Sequence, residues 1–125
     1  MFFGRIKSNP VRYDLCDQTV TVYHKTDGKE EYARKVYSRA FLDRKKTQSV
    51  DKTGSREANS FLLVIPGSEQ AVFTGDKVFE GIGPEISTAE AWRSFIPSKV
   101  PELVVVSYAD PKRWNGIIVH TEAGG

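Results

Sequence analysis

The chain is poor in the residues that small proteins use for covalent and metal chemistry. Among 125 residues there is one cysteine, Cys16, and there are two histidines, His24 and His120. A single thiol excludes an internal disulfide and leaves zinc without the thiolate cluster of a structural site. No apolar run approaches the ~20 residues a membrane-spanning helix needs. The opening Met1-Phe2-Phe3-Gly4-Arg5 turns polar too early for a secretory h-region, and no Asn-x-Ser/Thr sequon occurs. These absences point to a chain made and used in a cytoplasm, with no membrane partner. An excess of one charge is also missing: 18 basic residues stand against 16 acidic ones, a net +2. That is too small to imply a polyanion partner by itself.

Catalytic patterns are equally scarce. Gly81-Ile82-Gly83-Pro84 lacks the third glycine of a dinucleotide fingerprint, and Pro84 removes an amide that a phosphate would use. The two glycines read instead as a bend between a strand and a helix. Cys16, His24 and His120 could supply a nucleophile and a base, but no motif adds an orienting acid or an oxyanion site. His24 reads as the end of an edge strand, and His120 as a histidine among apolar neighbours with a backbone partner. Asp76 and Glu80 lie four apart in a strand and share a face. They read as a turn acceptor and a solvated side chain rather than as an acid–base pair. The expectation is no catalytic residue, no cofactor, no metal ligand and no enzyme.

What is present is strand signal. The length suits one compact domain, and 39% apolar, 27% charged and 11% aromatic content is ordinary for a globular chain. Gln18 to His24 alternates, Val20 and Val22 facing one way and Thr19, Thr21 and Tyr23 the other, the period of a half-buried strand. Asp27-Gly28 suits a tight hairpin. Residues 30–47 fit helix and strand alike, with two strands broken near Ser38-Arg39 as the preferred reading. Gln48 to Asn59 is polar with little to bury, which predicts a long exposed loop that meets another chain. Ser60 to Ile65 is apolar on both faces and predicts a central strand stopped by Pro66-Gly67. Short strands are expected at Ala71–Phe73 and, after the Gly75-Asp76 turn, at Lys77–Phe79.

Ser87-Thr88-Ala89-Glu90 has capping-box spacing and predicts a short helix from Thr88 to Phe95, burying Trp92 and Phe95 or Ile96. Two strands, Glu102–Tyr108 and Ile117–Thr121, flank a turn holding Asp110-Pro111 and Asn115-Gly116. The sum is a mainly β single domain, a small β-barrel or sandwich of about seven short strands with one short α-helix. An α+β two-layer fold is the runner-up. Residues 1–17 read as an N-terminal arm and 18–125 as the domain.

Charge is uneven along the chain. Arg34, Lys35, Arg39, Arg44, Lys45, Lys46 and Lys52 stand against Asp43 and Asp51, a local excess of +5 between residues 34 and 52. With Tyr32, Tyr37 and Phe41 interleaved, this tract could contact a partner or DNA, since bases stack on aromatics while cations follow the backbone. A solvated charged face is the plainer meaning of the same run.

Two blocks together resemble a known family. One is Val20-Thr21-Val22-Tyr23-His24-Lys25, then a hairpin, Tyr32 and a tract ending in Ser49-Val50. The other is Phe73-Thr74-Gly75-Asp76-Lys77-Val78-Phe79-Glu80-Gly81, a spacer with the short helix, then Leu103–Tyr108 and Ile118-Val119-His120-Thr121-Glu122. In this order and spacing, over about residues 18–123, the chain resembles the small minor capsid or head-closure-like proteins of tailed phages and prophages of low-GC Gram-positive bacteria. The resemblance implies a β-barrel in a homo-oligomeric ring at the head-to-tail passage, between portal or adaptor and tail proteins. It would enter the virion after synthesis in the host cytoplasm. It also implies assembly without catalysis, with loop and arm ordering against neighbours and a possible non-specific DNA contact by the basic tract. A stand-alone nucleic-acid-binding β-barrel, OB-like, is the alternative from another class.

Overall fold

The computed structural model describes residues 12–51 and 54–125, with side chains described outside 46–59. Among these residues seven strands and one helix follow in the order β1 (Gln18–Lys25), β2 (Tyr32–Asp51), β3 (Gly54–Pro66), β4 (Lys77–Glu80), α1 (Ala89–Ser94), β5 (Leu103–Val105), β6 (Tyr108–Trp114) and β7 (Ile117–Gly124). Every strand pair is antiparallel, in the order β5-β4-β1-β2-β3-β7-β6. The two edge strands, β5 and β6, are joined by only Val106-Ser107, so the sheet must curl until its edges approach at that corner. Ser107 N–H donates to Gly124 O at 2.8 Å there. The result is the mainly β domain the alternation implied, as a half-barrel.

The long strand β2 builds both halves. Its first part pairs with β1, and its second part, from Phe41 onward, pairs with β3. Between them the register shifts: Gln18 and Val20 lie opposite Ala40 and Tyr37, three residues apart against two. The break expected near Ser38-Arg39 is therefore a β-bulge, which sharpens twist and lets one strand turn from one half to the other. Inside the curl sits the main core of Val20, Val22, Ala40, Leu42, Leu63, Ile65, Val72, Val78, Val104, Val106 and Ala123. Each large member contributes roughly 1.5–3 kcal/mol by leaving water.

The other face of β1 is buried as well, which corrects the half-buried reading. Thr21 and Tyr23 are fully buried. The segment after β4 folds over them: Thr21 Oγ1 donates to Gly81 O (2.7 Å) and accepts from Gly83 N–H (2.9 Å), and Tyr23 OH donates to Pro84 O (2.6 Å). The helix closes this layer, where Tyr23, Ile86, Phe95 and Leu103 form a second cluster. β1 is accordingly a central strand, flanked by β4 and β2, and His24 does not end an edge.

The helix cap is Thr88, one residue later than the capping-box reading. Its Oγ1 accepts from Ala91 N–H at 3.1 Å, because the helix proper begins at Ala89. At the other end the buried Lys77 donates through Nζ to Trp92 O (2.5 Å) and Phe95 O (2.7 Å), with its ammonium 4.1 Å from the Trp92 ring centre. A cation on the last carbonyls opposes the negative end of the helix dipole. Burial pushes the Lys77 pKa down from its ordinary 10.5.

Three other expectations change. Residues 48–51 and 54–59, expected as loop, are paired backbone: β2 and β3 keep one register from Phe41 opposite Val64 to Asp51 opposite Gly54. A hairpin satisfies its backbone groups internally, so polar composition does not prevent pairing. Ala71–Phe73 is not a strand; its polar groups use side chains instead, Ala71 N–H to Thr121 Oγ1 (2.9 Å) and Gln70 Nε2 to Val72 O (2.9 Å). Asp110-Pro111 lies within β6 rather than in a turn, and an edge strand tolerates a proline. The turn there is Asn115-Gly116, both with positive φ, 53° and 78°, as a tight hairpin requires.

Candidate functional site

Strand alternation scatters the basic tract instead of gathering it. Arg34 lies opposite Tyr23 and Lys35 opposite Val22, so neighbouring cations point to opposite faces. Arg34 is half-buried and clamps the covering segment, donating Nε (3.2 Å) and Nη2 (2.5 Å) to Gly83 O. Arg39 reaches back to Tyr13 O at 3.5 Å. Arg44 spans from β2 to the other half of the curl, pairing with Glu80 (3.3 Å) and donating to Pro101 O (2.6 Å). Glu80 is thus a partner of Arg44 rather than only a solvated side chain. Lys35 places Nζ 5.1 Å from the Tyr37 ring centre. Lys35 and Lys45 are exposed. Nothing is described of the Lys46 side chain, and Lys52 lies outside the described residues. Three arginines therefore tie segments together, and two lysines face solvent.

The Arg44–Glu80 pair stands on the lip of a groove of about 840 Å³ at the open end of the curl, between Leu42, Phe61, Pro101 and Val105. From this end the β2–β3 hairpin projects. β1 leaves β2 at Ala40, and β7 leaves β3 at Leu62. Past those residues both outer edges of the hairpin are without a neighbouring strand among the described residues. An isolated two-stranded ribbon is marginal in water, and an open edge is a template for another chain.

A second feature escaped the sequence. His24 Nδ1 meets Asp76 Oδ1 at 2.5 Å, and Asp76 Oδ2 accepts the Phe73 amide at 2.9 Å. The Asp76 side chain is 3% exposed and the His24 ring 45% exposed, in a groove of about 580 Å³ beside Phe73 and Trp92. Burial pushes the Asp76 pKa up from its ordinary 3.8, against the opposing pull of His24 and the Phe73 amide. The turn-acceptor role of Asp76 stands, with His24 added to it. The register shows why: β1 and β4 pair Tyr23 with Lys77, so the next residues out, His24 and Asp76, are neighbours. Only the strand pairing carries that signal.

His120 is buried, and its partners are side chains rather than backbone. Tyr13 OH lies 2.8 Å from Nδ1, and Glu122 Oε2 lies 3.9 Å from Nε2. The last residues of the expected arm, 12–17, thus lie against β7 and β2, with Cys16 buried. Burial holds His120 below its ordinary 6.5. Among the described residues no group of three or more His, Cys, Asp or Glu could hold a metal. Among the described residues no helix is long and apolar enough to cross a membrane.

No curated protein and no solved structure matches the chain. A family model of unknown function, DUF6751, matches residues 15–92, which include β1 to β4, the projecting hairpin and the His24–Asp76 pair. That match spans well over half the chain, and the protein belongs to the DUF6751 family.

Proposed function

We propose that this chain is a structural component of a phage or prophage virion, a head-closure, head–tail joining or minor capsid protein that assembles into a ring. The observation that carries the reading is the β2–β3 hairpin, eleven residue pairs long, which continues past both of its neighbouring strands. A projecting ribbon with two open edges gains stability when another chain covers it. The order of the two motif blocks supports a place at the head-to-tail passage, with portal, adaptor or tail proteins as neighbours. The role is docking, with no catalytic step. Lys35 and Lys45 are the described members of the basic tract left for a non-specific, salt-sensitive DNA contact.

The test shortens the hairpin. Residues 48–57 are replaced by Asn-Gly, which closes the ribbon at the Thr47–Ala58 pair with a tight turn. The shortened chain should keep its far-UV spectrum and melting temperature, yet be missing from particles produced by the source strain. Its incorporation at the normal level would overturn the proposal. So would tight binding of short DNA that survives ~0.2 M salt, which would favour the nucleic-acid-binding barrel.

A further inference from the structure

The sheet guards its two outer edges. β5 is three residues long, and β6 carries Asp110, Pro111 and Lys112 with a register shift between Lys112 and Arg113. Short length, proline, charge and bulges are the devices that stop an edge from recruiting another strand. The hairpin edge of β2 is of another kind. Gln18 completes the last rung beside β1: its Oε1 accepts the Leu42 amide at 2.8 Å, and its Nε2 donates to Leu42 O at 3.4 Å. The Leu42 amide and carbonyl therefore point to the β1 side. By strand alternation those of Arg44, Lys46, Gln48 and Val50 do the same. β1 ends at Gln18, and no other strand meets this edge among the described residues.

We propose that this edge of β2 pairs antiparallel with the same edge of a second copy, about a two-fold axis at Gln48. Two hairpins then join into one four-stranded sheet. The register follows from hydrogen-bond parity and charge. Residues whose amides point outward must pair with one another, so the axis passes through a residue position. At Gln48 the axis sets Gln48 opposite Gln48 of the partner subunit, Lys46 opposite Val50 of the partner subunit and Thr47 opposite Ser49 of the partner subunit. Within the strand, which ends at Asp51, it also sets Lys45 opposite Asp51 of the partner subunit, twice by symmetry, and opposite charges across strands are favourable. An axis at Thr47 would oppose Asp43 to Asp51 of the partner subunit. An axis at Ser49 would lose both ion pairs.

The β3 edge has no such solution. Its two charges, Arg56 and Glu57, are of unlike parity and never meet, while axes through them oppose like charges. That edge stays open to other subunits. Each copy thus supplies the third strand that a lone ribbon needs, through about six backbone hydrogen bonds. The inference goes beyond the proposed function and holds whether or not the chain enters a virion.

Sedimentation velocity on the full chain across a dilution series tests it. The wild type should be a dimer that dissociates on dilution. Gln48→Pro should be monomeric with an unchanged far-UV spectrum, because proline removes an outward amide and leaves the β2–β3 ladder whole. Asp51→Lys should weaken the dimer roughly tenfold, and Lys45→Asp combined with Asp51→Lys should restore it. A wild type that stays monomeric throughout overturns the inference. So does a Gln48→Pro chain that dimerises normally, or an Asp51→Lys chain of unaltered dissociation constant. The last readout decides even if the proline variant fails to fold.

Discussion

At Asp76 three segments meet. Its carboxylate takes the Phe73 amide and the His24 imidazole, and its carbonyl takes the Val106 amide at 2.9 Å. The side chain is buried, so its partners cannot be replaced by water without opening the turn. Asp76→Ala should cost about 2–3 kcal/mol, more than a cap bond alone, because a buried hydrogen-bonded pair is broken. Urea unfolding measures this, and an unchanged midpoint would show that the turn does not need the carboxylate. His120 gives a pH dependence with a definite sign. Burial holds its folded pKa below 6.5, so the unfolded chain takes up the proton first as pH falls. The stability it contributes is full above pH 6.5 and declines as pH drops through that value toward the lowered pKa. Comparing urea midpoints on either side of pH 6.5 for the wild type and His120→Asn isolates the effect. The variant should show the shallower slope.

Among the elements, the segment from Gly81 to Pro84 shows how a polar strand face becomes interior. Gly83 sits against Tyr23 and Phe79, and a β-carbon there would collide with the Tyr23 hydroxyl and press on the Phe79 ring. Gly83→Ala should destabilise the fold by about 1–3 kcal/mol, with near-ultraviolet circular dichroism as the check; an unperturbed spectrum and midpoint would argue against the close approach. The alternation of Val20 and Val22 made one face of β1 readable, since apolar period is written in neighbouring residues. The burial of Thr21 and Tyr23 was not readable, because it depends on a segment some sixty positions away in the chain. The hairpin was missed for a related reason. Gln48 to Asn59 offers no apolar face, and its pairing is inherited from the register set at Phe41 and Val64. Ser60 to Ile65, Asn115-Gly116 and the short helix, to within one residue of its cap, were legible, since their signals are local. The basic tract was legible as charge, but the faces on which its arginines lie depend on the bulge near Ser38-Arg39.

For the whole molecule, β2 belongs to both halves of the curl, and one core lies between them. The two halves should therefore unfold together. Trp92 reports on the helix side and Trp114 on β6, so Trp92→Phe and Trp114→Phe leave one probe in each half. Fluorescence melts of the two variants should track their far-UV melts in a single transition. Separate fluorescence and far-UV midpoints within either variant would mean that the halves melt independently.

The twenty residues of β2 run through both halves along a contour of roughly 66 Å, at ~3.3 Å per residue, paired with β1 up to Ala40 and with β3 from Phe41 to the hairpin tip. A pull along the hairpin tip would load the β1–β2 and β3–β7 ladders in shear, all rungs at once, instead of unzipping them one by one. Such a strand makes a mechanical tether: whatever grips the tip pulls on the core as a unit.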